Sequence, residues 1–274
     1  MVTTVVVVIL AAGSYVLVRR LAPVIGPVLT GSGCQASASR QTVLLDTQQA
    51  SIAATIAGVA HRQSMPSTAV TVAYATAMQE SKLHNLNYGD MDSVGVFQQR
   101  PSEGWGPRNK LEDPVYATTK FFRALKAVPG YQRLPIYQAA QDVQHSADGS
   151  AYIQYEKMAA EMSAAFTGQH GHAVYCWWSS AVPKRADRGA ITRSLAGTFG
   201  AAAASSATTT RHDLVLRVAR PKLGWEVAAW LVTHASSYGI HQVSFGGYYW
   251  RAATGAKGWV RDPGPPTTST IKLS

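Results

Sequence analysis

Charge is scarce in this sequence. Of its 274 residues only 15% are Asp, Glu, Lys or Arg, low for a cytosolic protein. Acid is scarcer than base: 15 Asp and Glu stand against 25 Lys and Arg, a net charge of +10. The imbalance is local. Residues 1–34 carry two Arg and no acid, residues 35–176 balance 11 bases against 11 acids, and residues 177–274 hold 12 bases and 4 acids. The last third is therefore the cationic part, and polyanions are its natural partners. It has no basic recognition helix and no zinc-finger spacing, which argues against nucleic acid. Cysteine is nearly absent, with Cys34 and Cys176 alone. There is no internal repeat. Hydrophobic residues make up 46% of the chain, enough to bury real cores.

The first residues, "MVTTVVVVILAAGSYVLVRR", run uncharged from Val2 to Val18. As a helix this spans about 25 Å, the length of a short membrane span or a long signal-peptide core. Arg19 and Arg20 follow it, and by the positive-inside rule they would hold the rest of the chain in the cytoplasm. The cysteine pattern and the chemistry of residues 77–106 argue instead for export, to the outer face of the membrane or the cell wall. "GSGCQ" around Cys34 is similar to a lipoprotein cleavage site but lacks the aliphatic residue three positions before the Cys. An even cysteine count in an exported chain suggests a disulfide tying together the two ends of residues 35–175. Two unrelated buried thiols are the alternative.

Residues 46–62 have helical apolar spacing behind Asp46 as a cap. "MPSTAVTVAYATAMQESK" is a second helix, with Pro66 in its first turn and Ser64 or Ser67 as cap. Residues 84–108 read as a long loop or small hairpin. Helices follow in "DPVYATTKFFRALKAV", "LPIYQAAQDVQHS" and "SAYIQYEKMAAEMSAAFTG". Beyond them lie a short amphipathic helix, "RGAITRSLAGTFG", and a low-complexity Ala/Ser/Thr linker ending at residue 210. "DLVLRVAR" alternates as a strand, "GWEVAAWLVTHASSYG" is a helix, and "HQVSFGGYYWR" is strand, Gly-Gly turn, strand. The expected organisation is a membrane or signal segment (1–33), a mostly helical domain (34–176), a helix with linker (177–210), a small α/β module (211–262) and a disordered tail (263–274).

Glu80 closes the very apolar second helix. A carboxyl group where solvent is excluded is costly to ionise, so its pKa rises and it can donate a proton near neutral pH. That is what protonation of a glycosidic oxygen demands. The plain alternative is a helix-end Glu facing water or pairing with Lys82.

Glu80-Ser81 followed by Ser93-Val94-Gly95-Val96-Phe97-Gln98 resembles the lysozyme-like superfamily, in its soluble lytic transglycosylase and goose-type lysozyme branch. The longer string "ATAMQESKLHNLNYGDMDSVGVFQQRPSEGWG" looks like a subgroup common in secreted actinobacterial proteins, and the likeness spans about residues 40–170. It implies a mostly α lysozyme-like domain followed by the small α/β module, and cleavage of the β-1,4 bond between N-acetylmuramic acid and N-acetylglucosamine in peptidoglycan, without a cofactor. Glu80 would be the general acid. Ser81, Asp90, Asp92, Ser93, Gly95, Phe97, Gln98, Gln144 and Tyr152 would surround the substrate. Gly95 would let the backbone approach a sugar, and Gln98 would bond the N-acetyl group or the acid. Ser93 would orient sugar or water, and Tyr88, Phe97 and Trp105 would stack on sugar faces or else pack in core or loop. "AAQDVQHS" replaces the family's Ala-Tyr-Asn-Ala-Gly, so Gln144 stands where the family has Asn, and Tyr152 or Tyr155 fits a later family tyrosine. An inverting hydrolase needs a second carboxylate about 6.5–9.5 Å from the acid, for which Asp90 and Asp92 are available. The position just after Gln98, acidic in the goose type, is Gln99 here. A lytic transglycosylase needs no second carboxylate, and that reading is preferred. A non-catalytic wall binder is the competing class.

The C-terminal module is similar to one in secreted actinobacterial wall proteins, some of which precede it with a His/Asp metal motif. Here His212 has Ala219 where the Asp would be, so no metal is expected; His234 and His241 read as packed or surface residues. The module's charge would suit anionic wall polymers such as teichoic acids, and the N-terminal segment the membrane.

Overall fold

A computed structural model describes residues 31–39, 41–145, 149–182, 186–201, 203, 207–210, 213–264 and 266–274. The apolar run of residues 2–18 lies outside them. No helix among the described residues is long and apolar enough to cross a membrane.

The chain is mixed α/β: largely helical, with two small antiparallel sheets. The first sheet has three strands, β1 (Gly33–Ser37), β2 (Thr42–Leu45) and β3 (Val174–Trp177), with β1 in the middle. Cys34 and Cys176 face each other across β1 and β3 and form a disulfide. The expected bridge is therefore present, and it fastens the two ends of the helical region.

Between those ends lie the helices. α1 (Thr47–Arg62) starts at Asp46, whose carboxylate accepts from Gln49 N at 2.8 Å while Gln49 Oε1 accepts from Asp46 N at 2.9 Å. This reciprocal capping satisfies two otherwise orphaned donors. α2 (Ser67–Ser81) is buried without interruption from Ala69 to Met78, which makes it the central helix. Pro66 occupies its N-cap position with no side-chain cap, where Ser64 or Ser67 was expected. The Tyr74 hydroxyl crosses to Ala53 O at 2.8 Å and ties α2 to α1. α3 (Arg108–Leu111) and α4 (Pro114–Ala127, capped by Asp113) follow a long loop. α5 (Ile136–Gln144) and α6 (Glu156–Phe166) flank a 3-10 segment, Gly149–Tyr155, where a continuous helix was expected.

The second sheet has six strands: β4 (Ala207–Thr209), β5 (Leu214–Arg217), β6 (Gln242–Phe245), β7 (Tyr248–Arg251), β8 (Val260–Arg261) and β9 (Thr270–Leu273). Their order is β4-β5-β9-β6-β7-β8. Gly246 and Gly247 make the β6–β7 turn with φ of 63° and 80°, left-handed values that glycine adopts freely. β9 corrects the expectation of a disordered tail. Its Pro/Thr/Ser-rich approach hides a short alternating strand in which Ile271 and Leu273 are buried, between β5 and β6.

Helices α7 (Arg188–Phe199), α8 (Pro221–Thr233) and α9 (Ala235–Tyr238) complete the fold. α8 packs on one face of the six-stranded sheet and also against α1, within one continuous hydrophobic core. Trp250 Nε1 donates to Cys176 O at 3.1 Å and Trp259 Nε1 to Val174 O at 2.7 Å. At the α1–α8 contact His61 Nδ1 lies 3.3 Å from the buried Glu226 carboxylate.

Candidate active site

Glu80 sits in the last turn of α2, and three sets of bonds fix how that helix ends. Lys82 and Leu83 turn left-handed, with φ of 54° and 62°. Gln49 Nε2 satisfies Lys82 O at 2.9 Å. Ser81 Oγ donates within reach of Ala77 O and, at 2.7 Å, Val96 O, and it accepts from His84 N. His84 Nε2 lies 2.7 Å from Asp46 Oδ2, joining the loop to the cap of α1. Burial alone would push the Asp46 carboxyl up, but bonds from His84 and Gln49 outweigh it and hold it low; the same bond raises His84.

The 94–99 turn packs against this end, with Val94 and Gln99 exchanging backbone bonds. Gly95 has φ of 78°, and a Cβ there would come within 2.4 Å of Leu111 O. Phe97 is fully buried and stacks on Phe121 at 4.4 Å. Its carbonyl accepts from Gln144 Nε2 at 2.8 Å. Gln144 also favours the Glu80 carboxylate, and the Tyr152 hydroxyl donates to Glu80 Oε1 at 2.8 Å. Comparison with models of known protein families and with curated proteins finds no match. The chemistry must therefore be argued from this geometry.

Burial is the main influence on Glu80 and raises its carboxyl above the ordinary range. Tyr152, Gln144 and the Lys82 charge pull the other way without overcoming it. The result is a half-buried acid that holds its proton more tightly than a free carboxyl, with donors in place to steady the carboxylate once the proton leaves. Lys82 does not pair with it directly: its Nζ donates to Tyr155 OH at 2.7 Å and to Met78 O at 3.2 Å.

Of the residues expected around a substrate, the structure brings Gln144 and Tyr152 onto Glu80. Three others have structural work. Ser81 is buried and stitches the helix end to the 94–99 turn. Gly95 serves a close approach to a backbone carbonyl rather than to a sugar. Phe97 packs in the core rather than stacking on a ligand, because its ring is covered by Phe121. Gln98 is turned onto its own loop, bonding Gly95 O at 3.1 Å and Tyr88 O at 3.3 Å. Ser93 is buried within the same loop. Asp90 is exposed. Asp92 accepts from Ser102 N at 2.8 Å, Ser102 Oγ at 2.9 Å and Arg100 Nε at 3.0 Å. The Ser102 amide bond leads in pulling its pKa down to about 2, with Arg100 assisting. Such a carboxylate is a weak base.

Trp105 lines an open cavity of about 480 Å³ with Val128, Asp142, Val143 and His145. Sequence reasoning missed Gln49 as a support of the helix end, and it stands in no motif that would mark it; Tyr155, the alternative to Tyr152, holds Lys82 instead. Among the described residues no three His, Cys, Asp or Glu side chains gather to hold a metal. His234 is packed: burial holds its pKa down, at about 4, and its ring stacks on Trp230 at 4.1 Å.

Proposed function

We propose that this chain has a lysozyme-like helical domain and cleaves the glycan strands of peptidoglycan at the β-1,4 bond after N-acetylmuramic acid, as a lytic transglycosylase. The observation that carries the reading is the Tyr152–Glu80–Gln144 arrangement around one half-buried carboxyl of raised pKa. Glu80 gives its proton to the glycosidic oxygen as the C–O bond breaks. Charge develops on the sugar ring, and a hydroxyl of the same sugar attacks C1. The Glu80 carboxylate takes that hydroxyl's proton, so the acid is regenerated and the new end is an anhydro-sugar. Tyr152 and Gln144 stabilise the carboxylate between the two transfers. One carboxyl suffices, which agrees with Asp92 being engaged by Ser102 and Arg100. The disulfide supports an exported location, since such bridges persist in oxidising compartments. The basic module would hold the enzyme near anionic wall polymers, and residues 2–18 would direct it to the membrane.

The test is mass analysis of the muropeptides that the full chain releases from purified sacculi. Anhydro-muramoyl ends are expected, lost in Glu80→Gln and kept in Asp92→Asn. Ordinary reducing ends would overturn the transglycosylase reading in favour of hydrolysis with Asp90 as base. No Glu80-dependent release would mean a wall-binding protein without catalysis.

A further inference from the structure

The six-stranded sheet has one face on α8 and one face open. β9 turns Ile271 and Leu273 inward and Lys272 outward. The register sets Lys272 between Val215 of β5 and Ser244 of β6. Gln242 and Ser244 share the outward face of β6. Asp213, just before β5, forms one wall of a groove along this face. Asp262, Gly264 and Thr267 form the other wall, held to the β6–β7 turn by Asp262 N on Gly247 O at 2.8 Å and Gly246 N on Thr267 O at 3.1 Å. The enclosed volume is about 370 Å³, within the range of small-molecule sites.

The lining carries both signs of charge, unpaired. No hydrogen bond or ion pair among the described residues engages the Lys272 ammonium or the Asp213 carboxylate. One Asp262 oxygen accepts from Gly264 N at 3.0 Å, and the other has no partner among the described residues. The neutral groups are already oriented: Gln242 Oε1 accepts from Arg251 Nε at 2.8 Å and its Nε2 donates to Ser244 Oγ at 3.1 Å. Strand pairing and these backbone bonds hold the ammonium and the two carboxylates apart. A polyanion entering here meets two carboxylates, and a simple cation meets Lys272. A molecule with one charge of each sign meets a partner for both.

We propose that this groove binds a small zwitterion, a free amino acid or a short peptide with both ends free. Its carboxylate lies on Lys272, assisted by the Ser244 and Thr267 hydroxyls, and its ammonium lies between Asp213 and Asp262. The site is remote in sequence and fold from Glu80, and the proposal does not rest on the reading of that residue.

Trialanine, N-acetyl-trialanine, trialanine amide and N-acetylglucosamine are the probes, titrated into the full chain by calorimetry and saturation-transfer NMR. Saturable binding of trialanine is expected. Each cap removes one charge contact and should weaken it about tenfold or more. Lys272→Ala, at an exposed position, should cause the same loss and leave Glu80-dependent muropeptide release unchanged. Asp213→Asn should weaken trialanine but not its N-acetylated form. Equal binding of capped and uncapped peptides, binding indifferent to Lys272→Ala, N-acetylglucosamine as the better ligand, or no saturable binding would each overturn the proposal.

Discussion

Breaking the Cys34–Cys176 bridge should remove about 5 kcal/mol of stability. The two cysteines are 142 residues apart in sequence. At that loop length, closure withdraws about 17 cal/mol/K from the unfolded ensemble, or about 5 kcal/mol at room temperature. The native side of the balance should hardly change on reduction. Cys34 and Cys176 are direct partners on paired strands, so the ladder between β1 and β3 keeps the thiols together. Both are fully buried, so reductant must act on the unfolded chain. The assay is equilibrium urea unfolding of protein refolded with and without reductant. The midpoint should fall, and the slope should rise because an open unfolded chain exposes more surface. In a thermal scan the loss corresponds to a drop of about 10–20 °C. The companion variant, Cys34→Ala with Cys176→Ala, also trims two core side chains and should lose somewhat more. A loss under about 1 kcal/mol with an unchanged slope would refute the argument that the bridge acts by restraining the unfolded chain.

Replacing Tyr152 by Phe removes a bond that favours the Glu80 carboxylate, so the acid should hold its proton to higher pH. The alkaline limb of the cleavage profile and a carbon-13 titration of Glu80 should both move upward, and a downward shift would contradict the geometry. Glu226 binds protons more tightly when folded because it is buried, and His61 does so because of its bond to Glu226. Both raised pKa values give the same sign. Their stability is fully present below the unfolded values of 4.5 and 6.5 respectively and is lost as pH rises through the folded ones. Urea midpoints should therefore fall from pH 4.5 to above pH 6.5, and Glu226→Gln should flatten the decline, leaving the slopes of the same sign from Glu80 and His84. Gly95→Ala forces a left-handed alanine, at about 1–2 kcal/mol, and drives its Cβ onto Leu111 O; calorimetry should show a lower melting temperature, and an unchanged one would mean that the turn is loose.

What the sequence disclosed depended on how long each signal was. α1 announces itself with a cap, α1 and α2 both with long apolar runs, and the Gly246-Gly247 hairpin with turn chemistry that only a few backbones accept. The first sheet was invisible because β1, β2 and β3 are four or five residues long. β1 and β3 pair across more than 130 residues, as between Gln35 and Tyr175, which no local pattern carries. β9 failed for the same reason, with a proline-rich approach misdirecting the reading. At the candidate site the structure brings Glu80, Gln144 and Tyr152 together, whereas Ser81, Gly95 and Phe97 of the short motif build the turn that packs against the helix end. A motif marks residues that the local architecture needs, and only coordinates separate those that touch the acid from those that hold it in place.

The order of the larger sheet has a consequence for how this chain comes to be made. β5 and β6 are not neighbours; β9 lies between them and follows both in the sequence. As synthesis or export proceeds from the amino end, β4 and β5 and the β6–β7 hairpin emerge as two fragments with bare inner edges. Only when residues 270–273 arrive can those edges be joined. A chain stopped short of Thr270 would carry two open templates for strand addition, a ready target for proteases and a seed for aggregation. Strand β9 thus works as a keystone: the edges of β5 and β6 stay open until residues 270–273 are in place between them.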